Sequence, residues 1–349
     1  MTSALHRPEP LAPGTPARIV DRHVSPEAAV DALLGGTSLR IEDHFCTGVR
    51  ILEALDGRLP RPAAESPFGV RRARDRRWRE AALHLLTPIV ERRVALGGVG
   101  SDTIGFAEEL YPEAGRFLLP FVQVQELHGA WRRYVEGVHL GVLGHRLHPF
   151  FGTYVPTRMS HLELFATWLS GYTGNRTRAV DVGTGCGVLA FLLARAGFDA
   201  VLATDCNPNA VESVRRDLTR RPAPPPVDVR EADLLGEDAT TAELIVFNPP
   251  WTRGPVEGYV DEALHFDDDL FDRFFDEALA RVGVDGRVVL IFSNVIQLVQ
   301  PDIPHPILNE LERGRFRLVD KLQRRVKPPR GRGRRRTKER VEVWELAPA

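Results

Sequence analysis

An apolar run in the second half of the chain ends abruptly in polar and rigid residues, L-I-V-F-N-P-P-W at 244–251. The side chain of Asn248 both donates and accepts hydrogen bonds, so its oxygen can hold an amino group without adding charge. Pro249 and Pro250 fix φ and extend neither a helix nor a strand ladder, which would hold the Pro249 carbonyl as a second acceptor. Trp251 offers a flat face to a planar amide, a base or a cationic amine. The motif predicts a site that orients a nitrogen nucleophile; the alternative is a plain turn after a strand.

A glycine-rich stretch, D-V-G-T-G-C-G, follows an earlier apolar run. Glycines at such a place let the chain turn tightly and approach a ligand closely, and the helix that follows presents free N–H groups. No G-K-[ST] sequence comes after it, which argues against a Walker-type phosphate cradle. The predicted ligand contacts are Asp181, Gly183, Thr184, Gly185 and Gly187.

Two further carboxylates end the next apolar runs, in T-D-C-N-P-N-A and in E-A-D-L-L. Asp205 lies a little over 20 residues after the glycine-rich stretch, where a carboxylate can accept hydrogen bonds from both ribose hydroxyls. Asp233 could accept from an adenine amine, although a solvated loop acid is the alternative. The neighbours predicted to border the same ligand are Cys206, Asn207 and Leu234.

These motifs follow one another on alternating strands and helices, and this alternation is typical of a parallel sheet covered on both faces. In such a sheet the ligand sits at the carboxyl ends of the strands, where the motifs fall. Strands are predicted at 178–183, 199–205, 226–233, 242–248 and 286–294, and helices at 187–197, 209–220 and 268–282.

Taken in order and at their spacing, the four motifs resemble the class I S-adenosylmethionine-dependent methyltransferases over roughly residues 150–300. The N-P-P-W tetrad resembles the amino-methyltransferase branch, which includes the release-factor glutamine N5-methyltransferases and the N6-adenine and N2-guanine enzymes. The resemblance implies a Rossmann-like, seven-stranded α/β sheet with helices on both faces. It also implies S-adenosyl-L-methionine as cofactor and S-adenosyl-L-homocysteine as product.

The resemblance also implies roles for the motif residues. Asp181 and the glycine-rich stretch would hold the methionine part of the cofactor, and Asp205 the ribose. Asp233 and Leu234 would frame the adenine. The tetrad at 248–251 would hold the methyl acceptor.

Upstream, F-F-G-T-Y-V-P-T-R-M-S-H-L-E-L-F at 150–165 resembles the entry segment of the release-factor enzymes. That family has a Pro-Arg-Pro-x-Thr-Glu signature, whereas Thr157 follows the proline here and a histidine stands near the family's glutamate. The departure concerns the protein substrate, not the cofactor. The predicted substrate contacts are Tyr154, Pro156, Arg158 and His161.

The chain of 349 residues suits two domains, and three parts are predicted. Residues 1–20, rich in proline and alanine, are expected to form a loose tail, and 21–149 a mainly α-helical domain that contributes to substrate recognition or another role. Helical spacing is seen at 71–96, and a hairpin or linker is expected near 136–155. Residues 150–349 are the predicted methyltransferase domain.

Composition restricts the cellular setting. The longest apolar stretches fall far short of 18 residues, and the N-terminus has no apolar signal-peptide core. The three cysteines show no C-x-x-C spacing, so neither a zinc site nor a disulfide framework is expected, and no other metal site is predicted. We therefore expect a cytoplasmic protein with no membrane partner; the oligomeric state is left open.

Charge is unevenly distributed. Residues 321–340 carry eleven Lys or Arg and one Glu, a net charge of +10, which leaves −11 on the rest of the chain. Such a hairpin loop could contact a polyanion without reading sequence, or could simply be solvated. Residues 261–277 contain eight Asp or Glu against one Arg; they are either a solvated helix start or a negative rim for a cationic substrate.

Three functions are compatible with these patterns. The first is methyl transfer to an amide or amine nitrogen of a protein, peptide or small molecule. The second is an RNA or DNA amino-methyltransferase anchored by the basic loop at 321–340. The third, an inactive methyltransferase fold used as a binding module, is disfavoured by the intact motifs. His161 and His265 are candidate proton acceptors, with a structural role as the favoured reading.

Overall fold

In the computed structural model of this chain, the described residues are 4–63, 68–98, 104–113, 115–237, 240–254, 265–326 and 338–349. The chain divides into two compact units. One unit comprises Arg7–Arg132, and the other comprises Met1–His6 together with Arg133–Ala349. The division at residue 132 falls before the boundary at 149 that the sequence pattern suggested.

The first unit combines helices with a mixed sheet. Over the described residues its sheet has five strands in the order β1-β2-β3-β4, with β5 pairing β3. The first three strands are parallel, and β4 and β5 run antiparallel to β3. Its elements are β1 (Arg18–Val20), α1 (Pro26–Leu34), β2 (Leu39–Ile41), α2 (Phe45–Arg58), α3 (Phe68–Leu83), β3 (Leu85–Val90), β4 (Arg93–Val94), α4 (Ala107–Leu110), β5 (Arg116–Pro120) and α5 (Phe121–Glu136), whose last turn belongs to the second unit.

The sequence pattern predicted a mainly α-helical domain; helices do make up most of the regular structure of this unit, but the pattern did not anticipate the sheet. The helical pattern at 71–96 holds only as far as Leu83, where α3 ends and a strand follows. Pro88 lies in that strand, and proline inside a helix removes a hydrogen bond and clashes with the preceding turn. The helical spacing of apolar residues does not reveal the change from helix to strand, because apolar residues continue from one element into the next.

The expected loose tail at 1–20 is also corrected over its described part. The backbone N–H of His6 donates to Asn209 Oδ1 at 2.7 Å, and Asn209 Nδ2 donates to the His6 carbonyl at 2.8 Å. Leu11 forms a bridge with Leu118, and β1 pairs with β2. Proline-rich composition was read as looseness, but prolines lose little entropy on ordering and so pack readily.

The second unit is built on the predicted sheet. Its elements are β6 (Val138–His139), β7 (Arg146–Leu147), α6 (Ser160–Ser170), β8 (Arg178–Val182), α7 (Val188–Arg195), β9 (Ala200–Asp205), α8 (Pro208–Thr219), β10 (Val227–Glu231), β11 (Ala242–Phe247), β12 (Thr252–Arg253), β13 (His265–Phe266), α9 (Leu270–Arg281), β14 (Val282–Ser293), α10 (Val295–Val299), α11 (Pro306–Arg313), β15 (Phe316–Arg325) and β16 (Arg340–Pro348). The predicted hairpin near 136–155 is present as β6 and β7, which pair antiparallel.

The main sheet of the described residues has seven strands in the order β10-β9-β8-β11-β14-β16-β15. β16 is antiparallel to both of its neighbours, and the strands from β10 to β14 are parallel. Alternate residues of each strand supply two cores, one shared with α6 and α7 and one shared with α9 and α11. The predicted fold class, a Rossmann-like sheet with helices on both faces, is confirmed.

The strand order reverses between β8 and β11, because β9 follows β8 on one side and β11 returns to the other. A crevice forms outside the carboxyl ends of strands at such a switch point. The predicted basic loop at 321–340 is corrected at its ends, because Lys321 to Arg325 belong to β15 and Arg340 to β16; residues 327–337 lie outside the described ranges. Among the described residues, the helices are all too short or too polar to cross a bilayer.

Candidate active site

A cavity of about 330 Å³ opens at the switch point, and its lining brings together the separate motifs of the sequence. Adjacent strands place their last residues side by side, with Val182 opposite Phe247 and Asp205 opposite Glu231. The lining includes Gly183–Cys186 of the glycine loop (Gly183–Gly187), together with Asp205, Asp233 and Asn248; Gly187 itself does not border the cavity. The cavity is thus lined by residues from the ends of four strands.

The glycine loop depends on glycine at three positions. Gly183, Gly185 and Gly187 have φ of 63°, 55° and 83°, in the left-handed region that favours glycine. A Cβ on Gly187 would also lie 2.9 Å from Cε2 of Phe191 and 3.0 Å from Cγ2 of Val214. The left-handed backbone at Gly183 and Gly185 therefore borders the cavity, whereas Gly187 packs closely against Phe191 of α7 and Val214 of α8.

Asp181 stabilises this loop through hydrogen bonds. Its Oδ2 accepts hydrogen bonds from Thr184 Oγ1 at 2.7 Å and from the Ala190 N–H at 2.9 Å. Complete burial raises the pKa of Asp181 to about 7. The residue does not border the cavity, whereas Thr184 does. Its structural contribution is to join the loop to the first turn of α7, and direct contact with a ligand stays a prediction.

Asp205 borders the cavity and is held from two sides. Its Oδ2 accepts from the Gly185 N–H at 2.8 Å and its Oδ1 from the Asn207 N–H at 2.9 Å. Asn207 in turn caps α8, because its Oδ1 accepts from the Asn209 N–H at 3.0 Å. Cys206 is exposed and also lines the cavity. The carboxylate is fixed beside the glycine loop, and its contact with a ribose stays a prediction.

Asp233 and Leu234 form the next wall, together with a residue that the sequence pattern did not identify. Arg273 of α9 lines the cavity and forms an ion pair with Asp233 at 2.5 Å. Burial acts to lower the pKa of Arg273, but Asp233 and two neighbouring aspartates raise it above its ordinary value. Leu234 adopts a φ of 49°, and its carbonyl accepts from Thr204 Oγ1 at 2.6 Å.

The Asn-Pro-Pro-Trp tetrad divides into two parts. Asn248 and Pro250 border the cavity, and Asn248 Oδ1 is buried with no hydrogen-bond partner among the described residues. Pro249 is buried and lies outside the lining. Trp251 donates from Nε1 to the Ile291 carbonyl at 3.3 Å and packs edge-on against His161. Trp251 thus anchors the turn, and Asn248 is left with an acceptor atom to use.

The four predicted substrate contacts differ in whether they border the cavity. Tyr154 and Pro156 border the cavity, while Arg158 and His161 do not. Arg158 forms an ion pair with the buried Glu339 at 2.5 Å. Burial, aided by the Arg158 charge, lowers the pKa of His161 to about 4. His161 is therefore a neutral residue packed beneath the site, in agreement with its structural reading.

His265 does reach the cavity. Its Nδ1 lies 2.9 Å from Thr252 Oγ1, across the short parallel pair of β12 and β13. Gln300 holds the same segment, because its side chain bonds both the N–H and the carbonyl of Arg253, at 2.9 and 2.8 Å. Only His265 of the two candidate histidines is placed where it could exchange a proton with a bound molecule.

A polar row on α8 positions the Tyr154 wall. Asn209, Ser213 and Asp217 are spaced four residues apart, and all three are buried. Asn209 Nδ2 donates to the Phe151 carbonyl at 2.7 Å, while Ser213 Oγ accepts from the Phe150 N–H at 3.0 Å. Asp217 accepts from the His148 N–H, at 2.9 Å for the nearer oxygen. Buried polar groups at helical spacing were the sequence signal for this support.

The acidic run gives little support to the reading as a negative rim. Each described acid in it is within ion-pair distance of an arginine, so most of its charge is compensated locally. The pairs are Asp267–Arg273, Asp268–Arg253, Asp269–Arg273, Asp272–Arg313, Asp276–Arg315 and Glu277–Arg281. Asp261 and Glu262 lie outside the described residues.

These residues fit an adenosyl ligand by their chemistry. The left-handed backbone of Gly183 and Gly185, a fixed carboxylate at Asp205 and an unpartnered acceptor on Asn248 border one cavity of the described residues. Among the lining residues, Phe247, Phe266, Leu270 and Arg273 were not anticipated. The sequence signal for Arg273 was a lone arginine in the acidic run.

Comparison with known families agrees with this arrangement. Residues 163–303 match the family described as Methyltransferase small domain. The matched segment begins inside α6, spans the glycine loop, Asp205, Asp233 and the tetrad, and ends after α10. This segment, less than half of the chain, is similar to that family, in agreement with the coarser resemblance read from the motifs.

Curated relatives are similar over short segments. A ribosomal protein L11 methyltransferase from Exiguobacterium sibiricum is 39% identical over 80 residues, which are 23% of this chain and 25% of that protein. A tRNA1(Val) (adenine(37)-N6)-methyltransferase from Aeromonas salmonicida is 34% identical over 76 residues, or 21% of this chain and 32% of that protein. The chain thus spans only about a quarter to a third of these relatives. The finer resemblance to release-factor enzymes stays a prediction.

A solved structure of a ribosomal protein L11 methylase from Lactobacillus delbrueckii subsp. bulgaricus is 18% identical, with a TM-score of 0.41, and covers 58% of this chain and 84% of that chain.

Proposed function

We propose that this protein transfers a methyl group from S-adenosyl-L-methionine to an amide or amine nitrogen of a protein, a peptide or a small molecule. The observation that carries the proposal is Asn248: it borders the cavity at the end of β11, and its buried Oδ1 has no partner among the described residues. A buried acceptor without a partner is unfavourable unless a ligand supplies the donor. An –NH₂ group of the acceptor is such a donor.

The cofactor would be held by residues whose positions fit it. The glycine loop would face its amino-acid part, Asp205 its ribose hydroxyls, and Asp233 and Leu234 its adenine. When bound, the cofactor supplies an electrophilic methyl group on a sulfonium. These assignments follow the family resemblance, and the shared cavity lining supports them.

The protein's own contribution is positioning. Asn248 Oδ1 would accept from the acceptor nitrogen, and the Pro249 carbonyl is the proposed second acceptor. Two acceptors orient the nitrogen lone pair and raise its electron density, so that orientation accounts for a large share of the acceleration. Tyr154 and Pro156 would form the opposite wall, held by the polar row of α8. His265 is the candidate to receive a proton, and no general base is required.

The direct test separates cofactor binding from acceptor identity. Purified protein is titrated with S-adenosyl-L-homocysteine by calorimetry, and Asp205→Ala is compared with Asp199→Ala, an exposed acid before the same strand. We expect Asp205→Ala to weaken binding at least tenfold and Asp199→Ala to leave it unchanged. Failure of the wild type to bind would revive the reading as an inactive module.

The acceptor is then found by incubation with methyl-labelled cofactor and cell extract, followed by separation of protein, RNA, DNA and small molecules. Label in protein or in small molecules supports the proposal. RNA or DNA is the second candidate acceptor, and two observations favour it: one relative is named a tRNA methyltransferase, and residues 321–340 are strongly basic. Label in nucleic acid would reverse the order of the two candidates.

A further inference from the structure

A second surface of the methyltransferase unit is strongly basic and lies outside the cavity. Six arginines lie in the last turn of α7, in the last turn of α8 and the two residues after it, and in the hairpin β6–β7. We call this set the arginine patch: Arg146, Arg195, Arg215, Arg216, Arg220 and Arg221. None of these residues borders the cavity.

Aromatic rings organise the patch. The guanidinium of Arg216 lies over Phe150 at 4.5 Å, that of Arg220 over Tyr134 at 4.7 Å, and that of Arg221 over Phe191 at 4.4 Å, each measured to the ring centroid. Stacking on a ring orients a guanidinium while leaving its N–H edge available for a further partner. Each of these three arginines therefore lies over a ring, and Arg216 is held by Glu212 as well.

The charge of the patch is compensated only in part. Glu212 pairs with Arg216 at 2.7 Å, and the buried Asp217, which accepts from the His148 N–H, also attracts Arg220 and Arg221 electrostatically. Within the described residues, the other five arginines of the patch have no carboxylate at ion-pair distance, and Arg146 donates to the backbone carbonyls of Glu136 and Gly137 instead. The arginines beside the acidic run, by contrast, all have acidic partners.

The pKa of a neighbouring histidine is affected by the positive charges of the patch. His145 packs edge-on against Phe191, which also carries Arg221. Burial lowers the pKa of His145, and the positive charges of Arg221 and Arg195 lower it further. The three residues therefore share one electropositive region, although they come from different elements.

We propose that the arginine patch is a docking surface for the phosphate backbone of RNA. Arginine presents a planar fork that matches phosphate oxygens, and clustered cations give affinity without base-specific contacts. An acidic protein segment is the competing partner. It is disfavoured because specific protein interfaces centre on apolar and aromatic anchors, whereas here the rings lie under the guanidinium groups.

This inference goes beyond the proposed function and is compatible with either acceptor class. An RNA-binding surface would serve an enzyme whose acceptor is RNA, and equally one whose acceptor is a protein carried in an RNA complex. The segment 148–153 runs along α8 from the patch side, at Asp217, to the Tyr154 wall of the cavity, at Asn209. The single backbone segment 148–153 thus connects the patch to the cavity.

The test measures RNA binding without cofactor, so it does not depend on methyl transfer. The full chain is titrated into a fluorescein-labelled RNA hairpin with a duplex stem, and anisotropy is followed from about 50 to about 300 mM salt. The patch variant carries Arg195→Gln, Arg215→Gln and Arg220→Gln, all exposed positions. The matched control removes three exposed charges from the other unit, by Arg18→Gln, Arg93→Gln and Arg116→Gln.

We expect the patch variant to bind about tenfold or more weakly at roughly 100 mM salt, with a salt slope smaller by about 2 to 3. The control should stay within about twofold of the wild type, since none of its residues belongs to the patch. Thermal unfolding of both variants confirms that they fold. An equal loss in both variants, no loss in the patch variant, or no RNA binding by the wild type would each overturn the proposal. Competition by polyglutamate as effective as that by RNA would point to an acidic protein instead and would also overturn it.

Discussion

At the scale of single residues, the two principal side chains of the site differ in whether their oxygens already have hydrogen-bond partners. Asp205 already receives hydrogen bonds from Gly185 and Asn207, so its position is fixed before any ligand binds. Asn248 keeps a buried oxygen without a partner among the described residues. In the proposed function, Asp205 is therefore the preorganised contact to the cofactor, and Asn248 is the proposed contact to the methyl acceptor.

Asn248→Ala should reduce turnover by about 100-fold, a magnitude typical for removal of one preorganised polar group at a reacting centre. Cofactor affinity should change by less than about threefold, because Asn248 is proposed to act on the acceptor. Steady-state kinetics with the acceptor found by labelling, together with calorimetry of S-adenosyl-L-homocysteine, measure the two quantities separately. Asn248→Asp retains an acceptor oxygen and should fall between the wild type and the alanine variant. A parallel fall in affinity and turnover would contradict the assignment.

Asp181 makes stability depend on pH. Its pKa of about 7, against an ordinary value of 3.8, means that the folded protein keeps a proton which the unfolded chain releases. The associated stability is fully present below about pH 4 and is lost as pH rises through about 7. Relative to Asp181→Asn, the wild type should therefore lose unfolding free energy between these values.

Denaturant unfolding of both proteins at several pH values from about 4.5 to about 8 tests this linkage. Asp285→Asn, which changes an exposed acid in β14, is the control and should follow the wild type at every pH. A difference between wild type and Asp181→Asn that does not vary with pH would show that burial does not shift this carboxyl.

At the scale of elements, strand ends and the turns after them define the site. The alternation of strands and helices after residue 150, and the order of the motifs on them, were predictable because period and turn chemistry are local properties. The sheet of the first unit was not, since its short strands pair across long sequence separations and lie between helices. Proline at position 88 was the local sign that the helix pattern had ended.

Gly187→Ala should destabilise the protein by about 2 to 4 kcal/mol, because a left-handed φ and a crowded Cβ act together. Gly197 has a φ of 92°, but a Cβ added there would meet no atom of the described residues within 4 Å, so it isolates the backbone contribution. Gly197→Ala should therefore cost less, about 1 to 2 kcal/mol. Urea unfolding of both variants gives the comparison, and equal losses would show that crowding at Gly187 is relieved by movement of Phe191 or Val214.

The polar row of α8 should be sensitive to loss of Asp217. Asp217→Ala leaves the His148 N–H without its acceptor, and we expect a loss of about 1 to 3 kcal/mol in unfolding free energy. Glu212→Ala, on the same helix, removes only a half-exposed pair with Arg216 and should cost less than about 1 kcal/mol. Chemical denaturation measures both. The idea that this row positions the Tyr154 wall fails if acceptor KM is the same in Asp217→Ala and Glu212→Ala.

At the scale of the whole molecule, charge is sorted by region. The acidic run near α9 is compensated by arginines, and the arginine patch is compensated only in part. Residues 321–340 add a net charge of +10, of which Lys321 and Arg324 pair with Glu342 and Glu163. The near-zero net charge of the chain, −1, conceals this separation. Long-range attraction of a polyanion depends on the local surplus and not on the total.

Neutralising the basic loop by replacing its arginines at 330, 332 and 334–336 with glutamine should weaken RNA binding at low salt for every sequence tested. Contacts to phosphates carry no base information, so the salt slope should fall while sequence preference does not change. Anisotropy titrations with two unrelated RNA hairpins measure both. A preserved slope would indicate that the loop is simply solvated and that the arginine patch acts without it.

The sequence by itself determined the methyltransferase sheet, the glycine loop, Asp205 and the tetrad, because each depends on residue type and short spacing. Only the tertiary structure decided that Trp251 and His161 pack together, outside the cavity lining, while Tyr154, His265 and Arg273 border it. It also decided that the acids near α9 are paired and that arginines from three elements share one surface. Partners far apart in sequence meet only when the sheet order and the helix packing bring them together, and no local pattern contains that information.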